Sequence, residues 1–77
     1  RLRMSPNPAH NFIKLEGVNG ELRNADLFVF DSNGKMMVQQ RINEDMHYLE
    51  IDQFAAGVYS VRIELDGVIV MEKFVKF

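Results

Sequence analysis

The chain has 77 residues, enough for one small domain, and its 47% hydrophobic content is sufficient to form a packed core. A formal net charge of −2 argues against a nucleic-acid-binding protein, which usually carries a basic surface. Cysteine is absent, which excludes disulfides and thiolate metal sites, and no apolar run approaches the ~20 residues of a membrane-spanning helix.

Residues 1–10 are predicted to be a linker from an upstream cargo protein, and residues 11–77 to be the folded domain. The chain opens at Arg1 rather than at a methionine, which suggests a fragment of a longer protein. Proline fixes its own φ angle and restricts the residue before it to extended conformations. Because Pro6 and Pro8 alternate with Ser5 and Asn7, this stretch is predicted to be a stiff extended arm.

Alternating apolar and polar residues predict a series of short strands along the rest of the chain. In the first strand, at residues 12–16, Ile13 and Leu15 are expected to face the core. Residues 17–20 contain two glycines and predict a break. Further strands are expected at residues 25–31, 35–42, 48–51, 58–65 and 68–77. In the strand at 25–31 both faces are apolar, so it is expected to be covered on both sides.

Two tight turns are predicted between these strands. Residues 31–34 (Asp-Ser-Asn-Gly) suit a hairpin turn, because Asp bonds its own backbone and Asn-Gly tolerates positive φ. This segment also resembles part of a calcium loop, but the remaining acidic ligands are missing, so we favour the turn. Asp66 and Gly67 predict a two-residue type I′ hairpin.

The predicted hairpin sets the pairing of the last two strands. Leu65 should face Val68, Ile63 should face Val70, and Tyr59 should face Phe74. The same register places the charged Glu72 opposite apolar Val61. A bulge near Glu72 or a position at the sheet edge would accommodate this pair.

The predicted fold class is all-β, an immunoglobulin-like antiparallel β-sandwich of about seven short strands. The strand predicted at residues 58–65 follows a crossover that contains Phe54 and Gly57, and it has Tyr59 near its start. This pattern resembles the tyrosine corner of such sandwiches, in which the hydroxyl bonds upstream backbone.

No catalytic, cofactor-binding or metal-binding residues are predicted. The two histidines, His10 and His47, show no metal-ligand or catalytic spacing to a carboxylate. The chain has no glycine-rich phosphate loop and no candidate serine nucleophile. It is not expected to be an enzyme.

Two interpretations of Lys73 and Lys76 stay open on the residues alone. Lysines on a terminal strand deter edge-to-edge aggregation. Alternatively, lysines flanking Val75 beside the chain terminus form a short segment that a receptor reads.

Four segments in this order resemble the C-terminal sorting domain of the type IX secretion system, over residues 5–77. They are the SPNPA, VFDSNGK, FAAGVYSVR and KFVK segments at residues 5–9, 29–35, 54–62 and 73–76. The resemblance implies that the domain is a secretion signal that directs an exported cargo through the outer-membrane translocon of a Gram-negative bacterium. It implies recognition by an outer-membrane β-barrel shuttle protein, then removal by a surface sortase at or upstream of residues 1–4. The cargo would reach the cell surface or the medium through the periplasm.

The resemblance also assigns roles to individual residues. By this resemblance, the residues that the translocon or shuttle recognises are Lys73, Val75 and Lys76, with Phe77 beside them. Mainly structural motif positions are Pro6, Asn7, Pro8, Asp31, Gly34, Lys35, Gly57 and Tyr59. Two positions depart from the family pattern: Phe30 stands where tyrosine is usual, and the chain runs one residue past Lys76.

A physical mechanism of recognition is expected from a terminal strand at a sheet edge. Such a strand offers unpaired backbone groups and a carboxylate, which a receptor could bind by strand addition or in a backbone nest.

Two other functions stay open. An adhesive or carbohydrate-binding module appended to a secreted enzyme would need an exposed aromatic platform, for which Phe28, Phe30 and Tyr48 are the candidates. A structural spacer would form a stable dimer, and the edge strands could pair two copies in vitro in any case.

Overall fold

The computed structural model describes residues 2–17 and 22–77. Seven strands form in this part of the chain, and no helix is present there. In chain order the strands are β1 (Leu2–Ser5), β2 (Phe12–Gly17), β3 (Asp26–Phe30), β4 (Met36–Arg41), β5 (Met46–Glu50), β6 (Gly57–Leu65) and β7 (Val68–Lys76).

The strands form two antiparallel sheets, one with the order β1-β2-β5 and one with the order β4-β3-β6-β7. The two sheets form a sandwich. A hairpin joins β6 to β7 at one edge of the larger sheet, as in immunoglobulin-like domains. The predicted fold class is confirmed.

The core lies between the two sheets. Because side chains alternate along each strand, one set of positions from each sheet meets in the interior. Ile13 and Leu15 of β2 are fully buried, as predicted. The other large side chains that are fully buried are Leu27, Val29, Ile42, Ile51, Val61 and Phe74.

The predicted hairpin between β6 and β7 is confirmed. Leu65 pairs with Val68 and Tyr59 pairs with Phe74. Both turn residues have positive φ, 52° at Asp66 and 79° at Gly67, as a type I′ turn requires.

The turn between β3 and β4 also forms as predicted. The Oδ1 atom of Asp31 accepts hydrogen bonds from the backbone N–H groups of Asn33 and Lys35, each at 2.9 Å. Gly34 has a φ of 84°. The Asp31 carboxylate is therefore used to close the turn.

Glu72 stays opposite Val61 in a continuous ladder without a bulge. Since β7 is the outermost strand of its sheet, the Glu72 side chain is exposed to solvent. The edge position, one of the two predicted solutions, accommodates the charge.

The second face of β3 is covered less completely than predicted. Phe28 and Phe30 are half-buried, and the cover is one side chain of the same sheet rather than another layer. The guanidinium carbon of Arg62 lies 4.5 Å from the ring centroid of Phe28 and 5.4 Å from that of Phe30. Glu64 lies 2.8 Å from the same guanidinium.

The prediction that residues 1–10 are an extended linker needs correction for the described residues. Leu2–Ser5 forms β1, which pairs with β2, and the Leu2 side chain is only 6% exposed. The apolar Leu2 supplies core contacts, which a solvated linker would not. Residues 6–8 bend instead of extending, and both the Ser5–Pro6 and Asn7–Pro8 bonds are cis. The predicted break at residues 17–20 lies outside the described residues except for Gly17.

Candidate functional site

The candidate site is the end of β7. Phe74 is fully buried and anchors this strand in the core, so Lys73 and Val75 point to the opposite side of the sheet. Phe77 follows the same alternation. Val75 is 38% exposed and Phe77 is 59% exposed. We call Lys73, Val75 and Phe77 the β7 outer face.

Lys76 does not belong to this face. It shares the core side of β7 with Phe74 and is half-buried, and its Nζ atom donates a hydrogen bond to the Phe77 carbonyl at 2.9 Å. The structure therefore groups three of the four predicted recognition residues and separates the fourth.

His10 extends the β7 outer face. Its ring centroid lies 4.9 Å from that of Phe77, with the two planes tilted by 43°. His10 falls within residues 1–10, which the sequence predicted to be a linker. Nothing in the local sequence indicates this contact, because it joins the two ends of the domain.

The backbone edge of β7 beside this face is occupied. The Asn7 side chain accepts a hydrogen bond from the Val75 N–H at 3.0 Å and donates one to the Lys73 carbonyl at 3.3 Å. An asparagine amide has one donor and one acceptor side, so it matches the two groups that a strand edge presents.

Ala9 continues the same pattern with its backbone. Its N–H donates to the Val75 carbonyl at 2.8 Å, and its carbonyl accepts from the Phe77 N–H at 2.9 Å, which makes a short parallel bridge to β7. We call Asn7 and Ala9 the edge cover. The expectation that residues 73–77 offer unpaired backbone is wrong for the Lys73 carbonyl, both groups of Val75 and the Phe77 N–H, because the edge cover bonds them.

The tyrosine corner supports the other side of β7. Tyr59 is 4% exposed, and its hydroxyl donates to the Ala55 carbonyl at 2.5 Å. Its ring stacks on Phe74 at a centroid distance of 5.4 Å and contacts Phe54 at 5.0 Å. Gly57 begins β6 two residues earlier. The predicted corner is confirmed, and it ties the crossover to the residue that anchors β7.

The other motif positions lie elsewhere. The turn that contains Asp31, Gly34 and Lys35 joins β3 to β4, at the opposite edge of the four-stranded sheet from β7. Pro6 and Pro8 flank Asn7 in the bend that carries the edge cover. Of these two remaining groups of motif positions, only the proline–asparagine group contacts the candidate site.

An aromatic platform for carbohydrate does not form from the three predicted candidates. Phe28 and Phe30 lie under Arg62. Tyr48 is 53% exposed and is paired with Phe12, but the two rings are tilted by 59°, so they present no common flat surface.

His47 lies outside the β7 region, and its environment changes its pKa. Burial lowers the pKa of His47 from its ordinary value of 6.5, and the negative charge of Glu44 partly opposes this shift.

Within the described residues, no three histidine or acidic side chains are grouped closely enough to hold a metal ion. The described residues also include no helix with the length and apolarity needed to cross a membrane.

These features define a small immunoglobulin-like β-sandwich whose last strand carries an ordered, partly apolar and cationic face. The family described as "Secretion system C-terminal sorting domain" matches residues 3–76. The chain belongs to this family, the C-terminal sorting domains of the type IX secretion system. It is a family of sorting signals rather than of enzymes, and membership implies that the attached protein is exported to the cell surface or the medium.

A solved structure shares the fold. It comes from the study of PorZ, described as an essential bacterial surface component of the type-IX secretion system of human oral-microbiomic Porphyromonas gingivalis. The superposition has a TM-score of 0.85 at 15% sequence identity and covers 99% of this chain but 11% of that chain. This likeness shows the fold alone, and this chain spans about a tenth of that protein. No curated protein sequence matches the chain.

Proposed function

We propose that this domain directs an upstream cargo protein through the type IX outer-membrane translocon, and that the outer-membrane shuttle protein recognises the β7 outer face. The observation that carries the proposal is the exposure of Val75 and Phe77 on an ordered strand, in a chain of the sorting-domain family. Exposed apolar side chains held in fixed positions are typical of protein-binding surfaces.

In this proposal the receptor recognises the side chains of the β7 outer face and does not add a strand to the sheet edge. The edge cover already bonds the Lys73 carbonyl, both backbone groups of Val75 and the Phe77 N–H, so a receptor strand would have to displace it to pair there. The same bonds hold the side chains in place before binding. A receptor therefore loses less conformational entropy on binding this strand than on binding a mobile tail.

The chemistry of the β7 outer face indicates the kind of receptor surface. Val75 and Phe77 need an apolar depression, and Lys73 beside them needs an acidic group or a carbonyl at its rim. Lys76 takes a supporting role in this proposal, because its ammonium group bonds the Phe77 carbonyl and restrains the neighbouring ring.

We further propose that a surface sortase removes the domain after export. A cut upstream of β1 is favoured by the burial of Leu2 and by the pairing of Leu2–Ser5 with β2. Cleavage inside β1 would first require this strand to leave the sheet.

The test is export of a passenger protein fused ahead of residue 1, in a bacterium that has the type IX machinery. Point substitutions are better than deletion of residues 73–77, because the deletion removes the fully buried Phe74 and is expected to unfold the domain. The informative protein is a triple variant that combines Lys73→Ala, Val75→Ser and Phe77→Ala.

Passenger at the cell surface should fall at least about tenfold for the triple variant, as expected when a small cluster of contact residues is removed. The matched control is Lys14→Ala, which removes a partly exposed lysine from β2 in the other sheet. Normal export of the triple variant, with both domains shown to be folded by thermal denaturation, would reject recognition through this face.

A further inference from the structure

A second strip of β7 is open. Residues of a strand alternate in the direction of their backbone groups, so every second residue faces the same edge. The N–H groups of Val75 and Phe77 point outward to the edge cover. By the same alternation, the backbone N–H and carbonyl groups of Ile69 and Met71 also point outward, and they bond no described residue.

This strip has two definite limits. It begins after the turn at Asp66 and Gly67 and ends where the Lys73 carbonyl accepts the Asn7 amide. We call residues 68–72 the open edge. Three of its five side chains are apolar and exposed: Val68 is 61% exposed, Ile69 59% and Met71 57%. An exposed, unpaired and apolar strand edge is the structure that most readily pairs with another strand.

We propose that the open edge binds the open edge of a second copy of this chain, antiparallel and centred on Val70. In this register Ile69 lies opposite the second copy's Met71, and Met71 lies opposite the second copy's Ile69. Each pair exchanges two N–H···O=C bonds, so four bonds use all the outward groups of Ile69 and Met71 in both copies. The two four-stranded sheets then form one continuous sheet.

The side chains fit this register. Ile69 and the second copy's Met71 meet on one face, and such apolar cross-strand pairs stabilise sheets. Glu72 lies opposite the second copy's Val68, so no like charges face each other. Lys73 comes next to the turn of the second copy, which carries the oppositely charged Asp66.

Other registers fit less well. Pairing centred on Met71 would place Lys73 opposite the second copy's Ile69 in a hydrogen-bonded pair. That pair would bring the second strand onto the Lys73 carbonyl, where the Asn7 side chain already occupies the edge. The edge cover therefore selects the register by closing the edge at Lys73.

The interface is small. Five residues from each copy fall short of the roughly 1,000 Å² that a stable complex usually buries. We therefore expect a weak dimer, with a dissociation constant between about 10 µM and 1 mM.

Sedimentation equilibrium of the 77-residue chain between about 10 µM and 2 mM tests this proposal, given the expected affinity range. The mean mass should rise from the monomer value of 8.9 kDa towards twice that value. Met71→Pro should stay monomeric, because proline removes an outward N–H and leaves the β6 ladder intact, as proline does at sheet edges. Met71→Ala is the control for the lost side chain: it removes the thioether but keeps the N–H, so association should weaken without disappearing.

Amide hydrogen exchange of the unmodified chain gives a second measurement that needs no variant. Exchange at Ile69 and Met71 should slow as concentration rises, while exchange at Val75 stays constant. A monomer throughout the concentration range, or association of Met71→Pro equal to that of the unmodified chain, would overturn the proposal. So would protection of Ile69 and Met71 that appears only when a foreign strand is added. These outcomes do not touch recognition through the β7 outer face, which passenger export tests separately.

Discussion

Replacing Asn7 with alanine should loosen the end of β7 while the sandwich stays folded. The substitution removes two hydrogen bonds, the one from Val75 N–H and the one to the Lys73 carbonyl. Both groups are exposed, so water replaces the lost partner and the cost stays near the low end of the usual range. The second bond, at 3.3 Å, is also long.

The expected loss is about 1 kcal/mol in free energy of unfolding, from a net contribution of ~0.5 kcal/mol for each bond. For a domain of this size, that loss lowers the melting temperature by roughly 4–8 °C. The same energy corresponds to about fivefold faster opening at the Val75 amide. The Phe77 amide should change less, since its acceptor is the Ala9 carbonyl, which the substitution leaves in place.

Amide hydrogen exchange and thermal denaturation measure these effects. Asn7→Asp keeps the acceptor for Val75 but loses the donor to Lys73, so its effect on the Val75 amide should be smaller than that of Asn7→Ala. Asn11→Ala is the matched control, because its side chain is exposed and makes no hydrogen bond to a described residue. Equal exchange at Val75 in Asn7→Ala and Asn11→Ala would refute the role of the Asn7 amide at this edge.

Two further predictions concern stability. Tyr59→Phe should cost about 1 kcal/mol or more, since it leaves the Ala55 carbonyl without its partly buried donor, and an unchanged melting temperature would contradict this. Because burial lowers the pKa of His47 below 6.5, the unfolded chain binds the proton more readily, and stability should fall as pH decreases from 6.5 towards the folded-state pKa. Melting at pH about 7.5 and about 5.5 measures this slope, which His47→Gln should reduce, and an equal slope in His47→Gln would contradict the assignment.

Much of the fold could be predicted because its signals are local. The alternation that buries Ile13 and Leu15 is encoded in consecutive residues, and so is the Asp66–Gly67 turn that sets the register of β6 and β7. The corner at Tyr59 spans four residues from donor to acceptor. In each case the backbone preference and the hydrogen bond involve neighbouring positions, so a pattern in the sequence is sufficient.

The first strand could not be predicted in the same way. Leu2–Ser5 is short and contains two polar residues, so its composition resembles that of a linker. Its place in the sheet depends on β2, which supplies the backbone partners, and on the interior that accepts Leu2.

The alternating pattern of the amino-acid sequence, by itself, determined that Val75 and Phe77 lie on the side of the last strand opposite Phe74. Only the tertiary structure decided which groups around that strand remain accessible. Asn7 and Val75 are 68 positions apart, and their hydrogen bond exists because the sandwich brings both ends of the domain to one sheet edge. Contacts of this kind depend on the order of strands in the sheets, which local preferences do not encode.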